Sequence, residues 1–396
     1  MAKSKNSVLL LSVMDSWGGG EEVLLKIALH VDDIVFSVAT PPGTSAEKFL
    51  ANRLNVFTLA SLKKIYRTND GWTFFDKLNV LINITKSVFP LYFFMRREKI
   101  SVIAANGNFA ALFALPLVFL FKKKLLVIQH LLYERNSFEG RLLKTLVKYS
   151  DMFICVSKSV AENIIEFTGN QTRNKITVIY NGISLPALPE ETTNVRVSPS
   201  KIYFAVVGSI IREKGHDQII DAFSQLVSSF PQCKLLVIGE AREEKSSKFF
   251  YRSLEVKTEN LYLSDKILFK GYVEDKKALY NQFDVLINYS IVPESFSLTV
   301  LEALAYNKIV IASNEGGPSE IIEHNANGFL VEPRNKQALF QVMQQVVMKF
   351  HDEAMDEVRK NGRATVDKKF SLNSFAEGYQ NIFKNYSNKS KQCRAT

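Results

Sequence analysis

Two apolar runs, Val285-Leu286-Ile287-Asn288 and Ile309-Val310-Ile311-Ala312, constrain the fold of this chain more than any other feature. Each is short, continuously apolar and rich in β-branched residues, as a strand buried on both faces must be. Between them Pro293 marks a loop, and Ser295 or Ser297 is placed to cap a helix over residues 298–306. Leu298, Leu301 and Ala305 fall on one face of that helix. Strand, helix and strand in this order predict a parallel crossover, the unit of an open, doubly wound α/β sheet.

Chemistry follows from where the acids fall. Glu294 precedes the predicted helix and Glu302 lies in its second turn. Two carboxylates near a helix start, where backbone N–H groups are free, frame a place for phosphate. Exposed glutamates alone are ordinary. The stretch Asn314-Glu315-Gly316-Gly317-Pro318-Ser319-Glu320 strengthens the case, because paired glycines after a strand allow a ligand to approach the backbone closely. Open α/β sheets hold nucleotides at the carboxyl ends of their strands.

The 396 residues provide for two or three domains. Hydrophobic content of 46% and charged content of 23% place the chain among globular proteins. Cys155, Cys233 and Cys393 have neither disulfide nor metal spacing, which points to a reducing, cytoplasmic compartment. Residues 8–13 are too short an apolar run for a signal peptide. The longest apolar run, Phe109 to Phe121, contains Pro116 and falls short of the ~20 residues of a spanning helix. It is expected to be a buried helix.

The formal charge is +10, of which the first 200 residues carry +8. That excess gathers at Lys63-Lys64 with Arg67, at Arg96-Arg97 with Lys99, and at Lys122-Lys123-Lys124. The second cluster follows Phe89-Pro90-Leu91-Tyr92-Phe93-Phe94-Met95. A basic face edged with aromatics suits an anionic membrane or an anionic lipid carrier at the inner face of the cytoplasmic membrane, and equally an ordinary solvated surface. No nucleic-acid motif accompanies the charge, so nucleic acid is not an expected partner.

Along the chain, residues 7–13 read as a strand leading through Asp15-Ser16-Trp17-Gly18-Gly19-Gly20 into a helix. The glycines lack the G-x-G-x-x-G spacing of dinucleotide sites. Strands are expected at 34–38, 56–59, 101–105, 125–128, 151–157 and 175–180, with an aromatic helical region over 61–100. His130 falls at the carboxyl end of its strand, where it could orient a hydroxyl or shift a proton. Asn181-Gly182 is a turn pair, and the proline-bearing residues 185–200 read as a linker. A second α/β domain opens with residues 202–207 and the turn Gly208-Ser209. Arg212 and Lys214 follow, cations suited to a diphosphate at a sheet mouth. Further strands are expected at 234–238, 267–269 and 328–331, and helices over 336–385.

The block from Glu294 through seven residues to Glu302, then Gly316-Gly317-Pro318-x-Glu320, resembles the signature of the retaining GT-B glycosyltransferases known as glycosyl transferases group 1. The resemblance implies two facing Rossmann-like, doubly wound domains with a cleft between them: residues 1–184 on the acceptor side, 201–369 on the donor side, and a last helix within 370–396 crossing back. It implies that Glu294 contacts donor-sugar hydroxyls, that Glu302 binds the ribose, and that backbone N–H groups of Phe296, Ser297 and Leu298 meet the diphosphate. Gly19 and Gly20 match the glycine loop that borders the donor, and His130 matches a histidine facing the donor sugar. Gly208 and Ser209 form the turn before the cationic loop. Lys214 matches the lysine that neutralises the leaving group. The family arginine is replaced by Ser209, which leaves Arg212 as its substitute. Tyr272 and Val273 lie where backbone groups meet the nucleobase.

The implied activity is transfer of a hexosyl unit from a nucleoside-diphosphate sugar, UDP in preference to GDP, to a hydroxyl of a lipid-linked or membrane-proximal glycan, as in bacterial surface-polysaccharide synthesis. No cofactor is implied. With no Asp-x-Asp triplet in the chain, no metal is expected at the diphosphate. Two other functions fit parts of the sequence. A sugar-nucleotide epimerase on the same architecture would turn over donor without acceptor. A non-catalytic module for acidic polymers or membranes would need the lysines of residues 60–125 and not the glutamates.

Overall fold

The computed structural model describes residues 6–63, 73–134, 137–187 and 201–392. Lys64, Arg67, Cys393 and most of the expected linker lie outside them. The chain divides into two units, one running to Gly182 and resuming at Leu372, the other Ile183–Ser371.

The first unit alternates strands and helices: β1 (Asn6–Leu11), α1 (Gly19–His30), β2 (Ile34–Thr40), α2 (Thr44–Ala51), β3 (Asn55–Thr58), α3 (Phe74–Arg97), β4 (Val102–Asn106), α4 (Gly107–Phe121), β5 (Lys124–Gln129), α5 (Phe138–Tyr149), β6 (Met152–Cys155), α6 (Lys158–Thr168) and β7 (Ile176–Val178). Its strands form one parallel sheet in the order β3-β2-β1-β4-β5-β6-β7. The chain winds outward from β1 in one direction and from β4 in the other, so the order reverses between them. The carboxyl ends of β1 and β4 therefore flank a switch point, where open sheets bind ligands. Val8, Leu10, Val38, Val102 and Ile128 are buried on the sheet. Residues 175–180 were expected as one strand, but Asn170–Lys175 is a 3-10 turn and only Ile176–Val178 pairs with β6.

The second unit holds β8 (Ile202–Val207), α7 (His216–Ser229), β9 (Cys233–Ile238), α8 (Lys245–Asn260), β10 (Ile267–Gly271), α9 (Lys276–Tyr280), β11 (Val285–Asn288), α10 (Leu298–Ala305), β12 (Ile309–Ser313), α11 (Pro318–Ile321), β13 (Phe329–Val331), α12 (Lys336–Met348) and α13 (Glu353–Lys369). Its parallel order is β10-β9-β8-β11-β12-β13, with the switch between β8 and β11. All four residues of β11 and all five of β12 are buried, as their apolar runs require. The last helix, α14 (Leu372–Gln392), belongs to the first unit, where Phe375, Tyr379 and Phe383 join the core.

The lysine triplet after α4 is not the basic patch its sequence suggested. Lys122 is exposed. Lys123 is buried and its Nζ donates to the Ile100 carbonyl at 2.7 Å. Lys124 donates to Asp151 Oδ1 at 2.8 Å. Lys122 caps α4 in the left-handed conformation, Lys123 lies in the turn that follows and Lys124 opens β5, so two of the three side chains are committed to protein contacts. Lys63 likewise lies 3.6 Å from Asp15 Oδ2.

Candidate active site

In the second unit, β8 is followed by Gly208, whose φ of +135° suits glycine alone. The chain then passes through a 3-10 turn, Arg212–Lys214, to Gly215 at φ +64°. A Cβ on Gly215 would stand 2.5 Å from the Tyr289 carbonyl, so only glycine lets this loop lie against the exit of β11. The Ile291 N–H donates to the Glu213 carbonyl at 2.8 Å and ties the two loops together.

That closeness brings Lys214 to Glu294. Lys214 Nζ and the buried Ser290 Oγ both donate to Glu294 Oε1. The carboxylate is 13% exposed and the ammonium 27%, so each is reachable and each is partly desolvated. Ser313 Oγ in turn donates to the Ser290 carbonyl at 2.6 Å. Lys214 comes from the mouth of β8 and Glu294 from that of β11, so the pair spans the switch point.

The paired glycines pack against the Glu294 loop. Gly316 has φ +69° and forms a bridge with Glu294; a Cβ there would strike the Glu294 carbonyl. The Gly317 N–H donates to that carbonyl at 2.7 Å, and a Cβ on Gly317 would stand 2.5 Å from the Phe296 Cα. The close approach they permit is to the Glu294–Phe296 backbone, which they hold in place. Ser297, not Ser295, caps α10, its Oγ accepting from the Val300 N–H at 3.4 Å. Leu298 opens the helix and Phe296 lies beside Phe370 at 6.1 Å between ring centres.

Glu302 is 15% exposed and accepts from Lys276 Nζ at 2.5 Å and from Tyr280 OH at 2.9 Å. Burial, then the neighbouring Glu302 charge, pushes the Tyr280 phenol well above its usual range, so it stays a donor. Gly208, Ser209, Tyr272 and Val273 line one hollow of about 420 Å³ at the carboxyl ends of β8, β9 and β10. Two motifs distant in sequence thus meet there. Arg212 goes elsewhere: its guanidinium lies 4.9 Å from the centre of the Phe250 ring. Lys214, and not Arg212, is the cation the fold sets on Glu294.

In the first unit, Gly19 and Gly20 form the first turn of α1, after β1. A Cβ on Gly20 would stand 3.0 Å from Asn106 Nδ2, so glycine leaves room for that amide. Glu21 is buried and accepts from Ser12 Oγ at 2.9 Å and Asn106 Nδ2 at 2.8 Å. Asn106 Oδ1 lies 2.7 Å from His130 Nε2. Because the amide nitrogen is turned to Glu21, its oxygen faces the imidazole. Nε2 therefore carries the proton and Nδ1 the lone pair. Burial pushes the His130 pKa down to about 4, so the ring is neutral near pH 7. The sequence marked His130 and the glycines; it gave no signal for Glu21 or Asn106, which lie 85 residues apart. Among the described residues, no group of three or more His, Cys, Asp or Glu side chains is gathered to hold a metal.

Comparison with known proteins agrees with this architecture. Residues 189–365 match the family described as glycosyl transferases group 1, and residues 36–185 match glycosyltransferase family 4. An uncharacterized glycosyltransferase of Methanocaldococcus jannaschii is 28% identical over 265 residues, 64% of this chain and 65% of that protein. The capsular polysaccharide biosynthesis glycosyltransferase CapM of Staphylococcus aureus is 26% identical over 246 residues, 59% of this chain and 61% of CapM. The chain thus spans less than two thirds of the length of these relatives. In structure, Anabaena Alr3699/HepE in complex with UDP superposes with a TM-score of 0.79 at 20% identity, covering 96% of this chain and all of that one. The fold is GT-B.

Proposed function

Since this chain belongs to the group 1 glycosyltransferases, we propose that it moves a hexosyl unit from a nucleoside-diphosphate sugar to a glycan hydroxyl, with the anomeric configuration retained. UDP is the proposed nucleotide, in keeping with the UDP bound by the HepE neighbour. The acceptor is proposed to be lipid-linked, in surface-polysaccharide synthesis at the inner face of the cytoplasmic membrane. The name of CapM, a capsular polysaccharide biosynthesis glycosyltransferase, supports the polysaccharide part of that reading.

One observation carries the reading: Lys214 and Ser290 both donate to Glu294 at the β8/β11 switch point. In the reaction, the bond from the anomeric carbon to the diphosphate oxygen breaks and the electron pair leaves with the nucleoside diphosphate. The acceptor oxygen bonds to the anomeric carbon and its proton passes to the departing diphosphate. Charge grows on the leaving group, and a partly desolvated ammonium stabilises it more than water would. Lys214 is the group for that task, aided by the free N–H groups at the start of α10. Without donor, Glu294 balances Lys214. When the diphosphate takes the ammonium, the carboxylate is released to the sugar hydroxyls. Lysine and helix dipole together make the proposed transfer independent of metal.

The proposed ribose contact of Glu302 is supported by its hydrogen-bonded setting between Lys276 and Tyr280. Neutral His130, with its lone pair on Nδ1, suits acceptance of a hydrogen bond from a sugar hydroxyl. A thermal-shift panel of UDP, GDP and their sugars tests the donor reading. The proposal expects stabilisation by UDP and UDP-sugars without added metal; stabilisation by none of the panel would refute it.

A further inference from the structure

Helix α3 is the one helix among the described residues long and apolar enough to cross a membrane by length and composition, yet it is docked on its own domain. One stripe faces inward: Val88, Leu91, Phe94 and Met95 are buried, and the Phe94 ring stacks on Phe57 at 4.6 Å. At 100° per residue, Phe74, Phe75, Leu78, Leu81, Phe89 and Phe93 share an opposite arc of about 120°. Phe74 and Phe75 are 74% and 73% exposed, and Phe89 and Phe93 are 60% and 61% exposed. A surface helix of a globular protein normally turns charged and polar residues to this side. Contiguous exposed apolar patches mark docking sites.

Charge says what docks. The only acid in α3 is Asp76, and its carboxylate accepts from Thr73 N–H and Thr73 Oγ1 at 2.9 and 2.7 Å in a capping box. Exposed Lys86 and Arg96 stand along the apolar side. At the helix's far end, Arg96, Lys99 and Lys122 rim a hollow of about 530 Å³ lined also by Tyr92, Leu120 and Phe121. Leu120, at the end of α4, is 65% exposed and extends the apolar side across that hollow. Apolar centre and cationic border match acyl chains and phosphate headgroups. A second copy of the chain would match the apolar side alone, since α3 has no uncommitted acid to meet these cations.

We propose that the outward face of α3, continued by the end of α4, lies in the plane of an anionic bilayer, with Phe74, Phe75, Phe89 and Phe93 below the headgroups and Lys86, Arg96, Lys99 and Lys122 among them. The inward stripe is committed to the domain core, so the helix lies on the membrane and does not span it. The inference deepens the proposal of a lipid-linked acceptor and rests on it for its purpose. Vesicle binding is measured without donor or acceptor, so it stands or fails apart from transfer.

The test is co-sedimentation of the full chain with vesicles of phosphatidylcholine, alone or mixed with phosphatidylglycerol, alongside analytical ultracentrifugation. The wild type is expected to pellet with the mixed vesicles and to be released by salt. Phe89→Ser with Phe93→Ser is expected to weaken binding about tenfold or more. Lys86→Glu with Arg96→Glu is expected to weaken it on mixed vesicles only. These side chains are exposed, and unchanged circular dichroism and melting temperature would confirm folding. A wild type that pellets with neither vesicle, variants that bind as it does, or a wild-type dimer that Phe89→Ser with Phe93→Ser dissolves would each overturn the proposal.

Discussion

Asn106 Oδ1 lies 2.7 Å from His130 Nε2, while the nitrogen of the same amide donates to the buried Glu21 carboxylate at 2.8 Å. One side chain therefore reads the orientation of a carboxylate on α1 into the tautomer of a histidine after β5. Asn106→Ala should free the ring and strip Glu21 of a donor. Denaturant unfolding should show a loss of about 1–3 kcal/mol. The transfer kcat should fall about tenfold, with the donor KM changed far less.

Two desolvated histidines, the buried His216 and the partly buried His130, set a pH dependence of stability. Burial lowers the pKa of His130 and His216 to about 4, from about 6.5 in the unfolded chain. Below pH 6.5 the unfolded chain binds protons that the folded one refuses. Their contribution is complete above pH 6.5 and is lost as pH falls toward 4. Melting temperature should drop over that window. His216→Gln should flatten the drop, by about 3 kcal/mol at full effect for this 2%-exposed ring. Equal pH slopes in the two proteins would contradict this. Because His130 stays neutral, kcat/KM should show no histidine limb between pH 6 and 8.

Gly316 holds the Glu294 loop at φ +69° with its α-carbon against the Glu294 carbonyl. Gly316→Ala should destabilise by more than about 1 kcal/mol and raise the donor KM, because the loop must shift. Wild-type melting and kinetics would show that the loop does not depend on that glycine.

Glu302 is proposed to hold the ribose. Glu302→Ala should erase the preference for UDP over 2′-deoxy-UDP, about tenfold in the wild type, as measured by calorimetric titration. A preference that survives the substitution would remove Glu302 from that role.

How much was legible differs from place to place. The strands β11 and β12 were readable because runs of buried β-branched residues are a local signal, and the cap of α10 was legible as far as the two serines Ser295 and Ser297, of which the structure uses Ser297. The glycine pair was recognised, but a sequence records a glycine's freedom and not what approaches it; here that is the Glu294 backbone. The lysine triplet differs from its sequence reading because it spans the turn from α4 into β5, where Lys123 folds onto the Ile100 carbonyl and Lys124 meets Asp151. The sequence sets Phe89 and Phe93 beside the basic cluster, but Asn79, Asn83, Thr85 and Lys86 interrupt the apolar run, and only the helix brings Phe74, Phe75, Leu78 and Leu81 onto the same side. Asn106 and Glu21 meet only when β4 is laid beside β1, a pairing no local pattern encodes.

The central claim is that Glu294, held by Lys214 and Ser290, works on the donor sugar, and the transfer rate of Glu294→Gln tests it most directly. The substitution keeps the shape and removes the charge. With a UDP-sugar that stabilises the wild type and a lipid-linked acceptor, turnover should fall about a hundredfold or more while UDP still binds. Turnover near that of the wild type would contradict the account.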